Sequence, residues 1–464
     1  MTQQPQLTRG IGLLGGMAVN VGNIIGTGVF LKSRVMTCNL GDPWWVLTVW
    51  LVAGLLALAG ALCYAEICAM LPESGGDYIY MNRAYGRLTS FAFGWTVFAI
   101  MKTGSQAALA VGFAIFLNVA LGGQLEALQF VLPAGLHIGG LSVVALTVLW
   151  LVTAANCVSV AASGNTAAML TLIKVGIVLA VAVTAFLFGH GDWEHLSTSG
   201  ATGSCEGVAA SARGGVGGVG AAMLGALWAY DGWNNVAPLS GEVRDPQRNL
   251  PRMFLGGIFA VIALYVAVNL AYFYVLTPQQ IASVSAQSSV ATEVIKMFVG
   301  PAAVSLVAVA LMFSSMGSLH ASVLANSRVP FAMARDGLFF RSLAKVSPRS
   351  RVPVRAVLAQ ALWASVLTLS GSYDTLTDSV VFASWLFYGL AAGSLFIFRR
   401  TLADAVRPYR AWGYPIVPAI FILLTVALLI ASFIAAPRQA LIGLGLIAAG
   451  LPFYFYWTRR SRAP

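Results

Sequence analysis

Apolar residues along this chain are grouped into long runs, which polar residues interrupt only briefly. A run of roughly 20 apolar residues is enough for a helix to cross the ~30 Å hydrocarbon core of a bilayer. The pattern therefore predicts an all-α polytopic membrane protein. The twelve predicted spans are residues 11–36, 44–71, 91–120, 141–158, 165–189, 218–240, 253–276, 300–326, 355–371, 379–398, 414–435 and 440–457.

The composition supports the same class. Of the 464 residues, 58% are hydrophobic and 9% are charged, whereas about 25% of the residues in a soluble globular domain are charged. A soluble protein of this length has no way to bury so much apolar surface. The bilayer is therefore the predicted solvent.

The basic residues predict an orientation in the membrane. An even number of spans places both termini on one side, and 20 of the 27 lysine and arginine residues fall in the predicted segments of that side. Cytoplasmic segments of membrane proteins carry such an excess. We expect a multi-pass protein of the cell membrane with both termini in the cytoplasm. The net charge of +11 is then explained by orientation in the membrane. No nucleic-acid partner is expected, because nucleic-acid-binding proteins carry their basic residues on one solvated face.

The first predicted span is interrupted by the glycine-rich run Gly22-Asn-Ile-Ile-Gly-Thr-Gly28. Glycine destabilises a helix by about 1 kcal/mol relative to alanine, and freed backbone groups are tolerated in hydrocarbon only where they line a cavity or bind something. One interpretation is a broken helix whose second half directs its N–H groups toward an anion. The alternative is close helix packing through small residues.

The sixth predicted span favours the first interpretation. Its middle reads Trp228-Ala-Tyr-Asp-Gly-Trp-Asn-Asn-Val-Ala-Pro238, and an acid, two amides, a glycine and a proline are unfavourable in lipid. Two broken helices at corresponding positions of two halves are typical of secondary transporters with inverted repeats. The chain also lacks a glycine-rich loop ending in Gly-Lys-Ser or Gly-Lys-Thr, so ATP-driven pumping is not expected.

A single transporter domain with internal repeats is the predicted organisation. Residues 10–190 form the first repeat, residues 218–400 the second, and residues 401–464 the last two spans with a basic cytoplasmic tail. Two basic amphipathic segments, 74–87 and 328–355, follow the second and eighth spans, and both are expected to lie at the membrane interface.

Several motifs resemble one known family. They are Gly22-Asn-Ile-Ile-Gly-Thr-Gly-Val-Phe30, Tyr64-Ala-Glu66 with Pro72-Glu-Ser-Gly-Gly-Asp-Tyr78, Trp228-Ala-Tyr-Asp-Gly-Trp-Asn234 with Gly241-Glu-Val-Arg-Asp-Pro-Gln-Arg-Asn-Leu-Pro251, and Ala332-Met-Ala-Arg-Asp-Gly-Leu338. The chain resembles the amino acid, polyamine and organocation superfamily, and within it the bacterial relatives of the L-type amino acid transporters. The resemblance implies a LeuT-like fold with a 5+5 inverted repeat plus two C-terminal spans, transport of amino acids by alternating access, and no cofactor.

The resemblance also implies site residues. Thr27 and Gly28 would meet the substrate carboxylate, and the carbonyl groups of Ile24, Trp228 and Asp231 its amino group. Trp228 matches a gating aromatic residue of the family. The complete set implied for substrate binding is Ile24, Ile25, Gly26, Thr27, Gly28, Trp228, Ala229, Asp231, Asn234, Asn235, Ser384 and Trp385.

Lys174, inside the fifth span, is a candidate coupling residue, because an ionisable group within a helix bundle is a functional candidate. In related transporters a matching lysine takes the place of a sodium ion between the first and eighth spans. The resemblance therefore implies sodium-independent transport, with Lys174 near the sodium-site residues Gly22, Asn23, Ser314 and Ser315. The alternative is that Lys174 snorkels to the inner interface.

The charge of the substrate stays open at this point. Asp231 at the second break would suit a cationic side chain, or would cap a half-helix. We expect exchange of small or medium neutral amino acids, with an exchanger or proton-coupled permease for cationic amino acids or polyamines as the alternative. Lys102 in the third span suits a structural ion pair as well as a functional role. Glu66 is interpreted as a partner for arginines of the inner face.

Partners and rival classes complete the predictions. Residues 121–140 contain no cysteine, whereas eukaryotic members of the family attach a heavy chain through one there, so no covalently attached heavy chain is expected.

Cys38 and Cys205 fall in outer segments where a bridge is possible, although the pattern favours free thiols, and no metal-ligand spacing is present. No catalytic constellation indicates an enzyme. A membrane sensor of amino acids remains the alternative from another class.

Overall fold

A computed structural model describes residues 10–73, 75–132, 136–158, 163–200, 203–347, 350, 352–435 and 437–462. Two short strands, β1 (Gln129–Leu132) and β2 (Leu136–Gly139), pair antiparallel between the third and fourth spans. The remaining regular structure in this part of the chain is helical. The α-helices are α1 (Leu13–Ile24), α2 (Gly28–Leu40), α3 (Pro43–Met70), α4 (Asp77–Tyr85), α5 (Arg87–Thr96), α6 (Lys102–Ala120), α7 (Gly140–Val158), α8 (Ser163–Phe188), α9 (Gly215–Tyr230), α10 (Pro246–Val275), α11 (Pro278–Ala282), α12 (Val290–Val299), α13 (Pro301–Asn326), α14 (Arg328–Arg335), α15 (Val354–Ser370), α16 (Tyr373–Thr401), α17 (Ile416–Ala435), α18 (Pro437–Ala448) and α19 (Gly450–Arg462). A π-helix covers Val97–Met101, and 3-10 segments cover Trp193–Ser197, Ala210–Ala212, Ala237–Glu242 and Arg341–Ala344.

The prediction of an all-α polytopic membrane protein is confirmed. Within the described residues, nine helices are long and apolar enough to span a bilayer, and the bent pair α1 and α2 makes a tenth. Twelve spans were expected. The other two predicted spans are α9 and α15, which have 16 and 17 residues. At 1.5 Å per residue each measures roughly 25 Å, which is less than the hydrocarbon thickness.

The first span breaks where the glycine-rich run predicts. Helix α1 ends at Ile24, Ile25 is extended with ψ 99°, and α2 begins at Gly28. The two helices are bent by 40° at this break. The interruption is therefore a break in the backbone and not only a packing surface of small residues.

The sixth span breaks as well. Helix α9 ends at Tyr230, Asp231 is extended with ψ 149°, and Gly232 has φ +102°, a conformation that favours glycine. The chain continues through turns into the 3-10 segment Ala237–Glu242. The sixth span thus has one α-helical half and one irregular half.

The two breaks touch each other through backbone atoms. A Cβ on Gly28 would lie 2.6 Å from the Cα of Ala229, and a Cβ on Gly232 would lie 2.7 Å from the carbonyl oxygen of Asn23. No side chain fits at either distance. Glycine at these positions therefore allows the broken segments to approach closely enough to form a shared site.

Cys38 and Cys205 form a disulfide, which corrects the expectation of free thiols. The segment that carries Cys205 folds over the end of α2: the Cys205 N–H donates to Ala282 O at 3.1 Å, and Arg34 Nη1 donates to Glu206 O at 2.7 Å. The two cysteines are 167 residues apart. Local sequence carries no signal for such a contact.

The two amphipathic segments form short helices that meet. Residues 74–87 contain α4, and residues 328–355 contain α14 and the 3-10 segment Arg341–Ala344. The Tyr78 hydroxyl donates to Asp336 Oδ2 at 2.8 Å. Both segments therefore lie on the same side of the fold, at the end of α3 opposite to the disulfide.

Glu66 has the partners expected from its position. Its carboxylate accepts from Arg399 Nε at 2.9 Å and from Arg399 Nη2 at 2.6 Å, and also from the Ala411 N–H at 2.6 Å. This bidentate pair joins α3 to α16. Glu66 is a structural anchor in this arrangement.

Candidate functional site

A cavity of about 40 Å³ lies between the two helix breaks. Buried water needs roughly 10–15 Å³ on this scale, so the cavity holds about three waters or a small polar group. Lys102, Ser105 and Leu109 of α6 and Ser318 and Ser322 of α13 form part of its wall. The breaks contribute Asn23, Ile24, Gly26, Thr27, Gly28, Trp228, Asp231, Gly232 and Asn235.

The start of α2 offers backbone donors to this cavity. The N–H groups of Phe30 and Leu31 both donate to Thr27 O, at 3.2 and 3.1 Å. Among the described residues, no backbone acceptor pairs with the N–H groups of Gly26, Thr27 or Gly28. The first N–H groups of a helix and its positive dipole end attract anions. This part of the cavity suits a carboxylate.

The carbonyl groups at the ends of α1 and α9 are partly occupied. The Tyr265 hydroxyl contacts Ile24 O at 3.2 Å and Ala229 O at 3.0 Å, and Trp228 O accepts from the Asp231 N–H at 3.1 Å. Each carbonyl oxygen has two lone pairs. Ile24 and Trp228 can therefore accept one more hydrogen bond each, as an ammonium group would require.

Ile25 and Ala229 belong to the predicted set but are not part of the cavity wall. Ile25 is fully buried, and its carbonyl accepts from Ser318 Oγ at 3.3 Å. Ala229 packs against Gly28. Both residues shape the backbone around the cavity.

Tyr373, the first residue of α16, joins the two breaks, because it contacts Thr27 of the first and Trp228 of the second. Its hydroxyl lies 2.7 Å from Thr27 Oγ1 and accepts from Trp228 Nε1 at 2.8 Å. The rings of Trp228 and Tyr373 meet edge to face, with centroids 6.3 Å apart. Tyr373 holds Trp228 over the cavity, a contact that sequence reasoning missed.

A cluster of charges lies beyond Tyr373. Lys32 Nζ pairs with Asp374 Oδ1 at 2.6 Å and with Asp378 Oδ1 at 3.3 Å, and Arg34 Nη2 lies 3.9 Å from Asp374 Oδ2. Lys32 is only 1% exposed. These pairs tie α2 to α16.

Lys102 points into the cavity because the helix before it is wound differently. The π-helix Val97–Met101 leaves backbone carbonyls free, and these accept from Thr103 Oγ1 and Trp363 Nε1, each at 2.7 Å. Lys102 Nζ then donates to Asn235 Oδ1 at 3.1 Å. It lies 4.0 Å from Asp231 Oδ2.

Three other predicted residues lie apart from the cavity wall. Asn234 is turned toward α4, where its Nδ2 donates to Asp77 Oδ2 at 3.2 Å. Ser384 and Trp385 are each 1% exposed, and Trp385 packs against Tyr388.

Tyr388 and Asp77 connect these residues to the second break. The Tyr388 hydroxyl donates to Asp231 Oδ1 at 2.7 Å and lies 3.3 Å from Asn234 Oδ1. Burial raises the pKa of Asp77 to about 6, although the charge of Lys102 and the hydrogen bond from Asn234 oppose this shift. The broken segment of the sixth span is therefore fastened to α4 by buried polar contacts.

Lys174 bridges the first and eighth spans. Its Nζ donates to Gly22 O at 3.0 Å and to Ser318 Oγ at 2.5 Å. The residue is 2% exposed, so its ammonium group lies within the bundle and does not reach the interface.

The other residues expected around Lys174 have different contacts. Ser315 Oγ donates to Leu109 O at 2.6 Å, Ser314 is buried, and Asn23 lies on the cavity wall. The serine that Lys174 contacts is thus one helical turn beyond Ser314.

Helical spacing would have identified several of the missed wall residues. Lys102, Ser105 and Leu109 stand at positions i, i+3 and i+7, and Ser318 and Ser322 at i and i+4, so each set shares one helix face. Polar residues on one face of an apolar span indicate a polar cavity. Tyr373 has no comparable local signal.

The family is shown by comparison with known sequences. The family model described as amino acid permease matches residues 11–455. The chain belongs to this family. It is therefore a membrane transport protein of the amino acid permease family and not an enzyme.

Similar proteins cover almost the whole chain. The serine/threonine exchanger SteT of Bacillus subtilis is 31% identical over 467 residues, 99% of this chain and 99% of that protein. The b(0,+)-type amino acid transporter 1 of Mus musculus is 29% identical over 467 residues, 99% of this chain and 91% of that protein. The large neutral amino acids transporter small subunit 2 of Mus musculus is 29% identical over 463 residues, which are 98% of this chain and 83% of that protein. All three are named for amino acids, which supports amino acid transport by this permease.

Proposed function

We propose that this permease is a secondary active transporter that exchanges small or medium neutral amino acids by alternating access. The observation that carries the proposal is the cavity where both broken spans meet, with the N–H groups of residues 26–28 on one side and the carbonyl groups of Ile24 and Trp228 on the other. Donors and acceptors at opposite sides suit a zwitterion. The bound carboxylate pairs with the start of α2, and the ammonium pairs with the carbonyl groups.

Transport without sodium follows from Lys174. Its ammonium group supplies a fixed positive charge between Gly22 O and Ser318 Oγ, where a bound cation would otherwise join the first and eighth spans. A buried lysine that is hydrogen-bonded to both elements supplies the positive charge without a bound ion. The proposed transport cycle therefore needs no sodium ion.

The proposed topology has twelve spans, with α9 and α15 completing the ten longer ones. Residues 10–190 and 218–400 are the two inverted repeats of a LeuT-like fold, and residues 401–464 follow them. The proposed orientation places both termini in the cytoplasm. The Cys38–Cys205 disulfide supports it, because disulfides persist on the oxidising side of the cell membrane.

Exchange of a cationic amino acid or a polyamine is the second candidate, because Asp231 lines the cavity. A sensor that binds amino acids without moving them is the candidate from another class. We also propose that the chain works without a covalently attached heavy chain, since residues 121–140 contain no cysteine.

Counterflow in proteoliposomes tests the proposal with the purified chain alone. Labelled L-serine should enter only vesicles loaded with unlabelled neutral amino acid, equally in sodium and choline buffers. Equal uptake by empty vesicles would show uniport. Binding without any flux would instead favour the sensor.

A pair of glycine variants links the flux to the breaks. Gly28→Ala places a methyl group against Ala229 and should reduce exchange at least 10-fold. Gly176→Ala in α8 is the matched control, because a Cβ there meets no atom within 4 Å. Equal exchange by both variants would contradict the role of the close approach.

A further inference from the structure

Lys102 is a buried cation on the wall of the cavity. It is 6% exposed, and it faces the second break from α6, directly after the π-helix. Asp231 is the one acidic residue among the described wall residues, and Lys102 is the one basic residue. The proposed amino acid site therefore contains one charge of each sign.

The contacts of these two residues are unequal. Asp231 Oδ1 accepts a short hydrogen bond from the Tyr388 hydroxyl at 2.7 Å, while its Oδ2 lies 4.0 Å from Lys102 Nζ. That distance pairs the charges but exceeds a hydrogen bond. Lys102 Nζ donates to Asn235 Oδ1 at 3.1 Å and makes no hydrogen bond to Asp231. A third polar atom can therefore bind both Lys102 and Asp231.

We propose that Lys102 sets the charge selectivity of transport: it neutralises Asp231 and thereby excludes amino acids with cationic side chains. This inference rests on the proposed function and names the substrate class of the same site. A cationic side chain that approached Asp231 would also approach the Lys102 ammonium. The side chains of Asp231 and Lys102 are both largely buried, and the repulsion between like charges is screened poorly at buried positions.

The same geometry favours a hydroxyl or amide side chain. A hydroxyl group between the two residues accepts from Lys102 Nζ and donates to Asp231 Oδ2, because it has both a donor and acceptor lone pairs. A small side chain suits a cavity of about 40 Å³ better than a large one. Serine, threonine and asparagine are the expected substrates.

The test compares neutral and cationic substrates in wild type and in Lys102→Met. The variant keeps the length of the side chain and removes its charge. Wild-type protein should exchange L-serine at least 10-fold more efficiently than L-arginine or L-lysine. In Lys102→Met this ratio should fall at least 10-fold, because Asp231 then has no basic partner.

Three further variants separate the proposal from general damage. Lys102→Arg keeps the charge and should keep the exclusion of L-arginine. Lys102→Met combined with Asp231→Asn should lose the gain in L-arginine exchange. Lys296→Met, at an exposed residue of α12, should leave all exchange unchanged.

Two results would overturn the selectivity role alone: wild-type protein that exchanges L-arginine as well as L-serine, or a Lys102→Met protein that still exchanges L-serine and still rejects L-arginine. If Lys102→Met does not fold, the ratio of L-serine to L-arginine exchange is compared between Lys102→Gln and wild type, and the same outcomes apply. Absence of exchange of any amino acid by wild type would overturn the proposed function itself.

Discussion

Lys174 Nζ lies 3.0 Å from Gly22 O, so the fifth span holds the first span two residues before α1 ends at Ile24. Lys174→Ala would leave Gly22 O and Ser318 Oγ without this donor in a buried place, and unpaired buried groups are costly. We expect L-serine exchange to fall at least 10-fold in the variant, while wild-type exchange is the same in sodium and choline buffers. Counterflow in proteoliposomes measures both.

Lys296→Ala provides the comparison for this lysine, because Lys296 is exposed and pairs with Glu293 on the surface of α12. It should exchange L-serine at the wild-type rate. A wild-type flux that collapses when sodium is replaced by choline would show that Lys174 does not take the place of a cation.

Tyr373→Phe should weaken the apparent affinity for L-serine by about 10-fold. The substitution keeps the ring over Lys32 and removes the hydroxyl that joins Thr27 to Trp228. Each lost hydrogen bond contributes about 0.5–1.5 kcal/mol, and 1.4 kcal/mol is a tenfold change. The KM of exchange is the measurement.

Tyr85→Phe controls for the loss of a tyrosine hydroxyl, because the Tyr85 hydroxyl donates to Leu390 O away from the cavity. Its KM should stay at the wild-type value. If Tyr373→Phe also keeps that value, Tyr373 does not hold the site closed.

The Cys38–Cys205 disulfide predicts a labelling pattern in whole cells. A membrane-impermeant maleimide should label a Cys157→Ser protein only after an impermeant reductant has opened the disulfide, because Cys63 and Cys68 lie toward the end of α3 opposite to it. The reagent reaches only the outer face. Labelling should disappear in the Cys38→Ser and Cys205→Ser double variant. Labelling of the disulfide cysteines only in inverted vesicles would place this end of the protein in the cytoplasm.

Asp77 predicts a dependence of stability on pH. Burial raises the pKa of this carboxyl from its ordinary value of 3.8 to about 6, so the folded protein binds the proton more tightly than the unfolded chain. The contribution of Asp77 to stability is therefore greatest below pH 4 and is lost as pH rises through 6. The Tm of Asp77→Asn minus that of wild type should increase between pH 5 and pH 7.5.

Asp404→Asn is the matched variant for this measurement, because Asp404 is exposed in the turn after α16. Its difference in Tm from wild type should not change over the same pH range. A difference for Asp77→Asn that is equally flat would mean that the Asp77 carboxyl is not desolvated in the folded protein.

The sequence was sufficient to predict the helical membrane fold and both breaks. Glycines and polar residues inside apolar runs leave few alternatives in lipid, so Gly22 to Gly28 and Trp228 to Pro238 could be interpreted from local chemistry alone. The family resemblance supplied the expected roles. Lengths of individual spans were less predictable, because α9 ends at the break itself.

Contacts between distant segments could not be predicted in this way. Ser384 and Trp385 were expected near the cavity, but the direction of their side chains depends on how α16 packs against α17, where Trp385 meets Phe421. Tyr373 and the pairing of Cys38 with Cys205 depend on how segments far apart in sequence pack together. Lys102 was visible as a charge in a span, but its contacts with Asn235 and Asp231 depend on how α6 packs against the second break.

The contact between Gly232 and the carbonyl of Asn23 divides the positions around the cavity into two groups. Some positions cannot accept another residue, and others can. In the proposed site, main-chain atoms meet the part common to all amino acids, and their positions depend on glycines that no other residue can replace without moving the breaks. Side chains such as Lys102 and Asn235 are proposed to meet the part that differs between amino acids. New cargo is therefore expected to arise by exchange of a few wall side chains, within a frame whose glycines stay fixed.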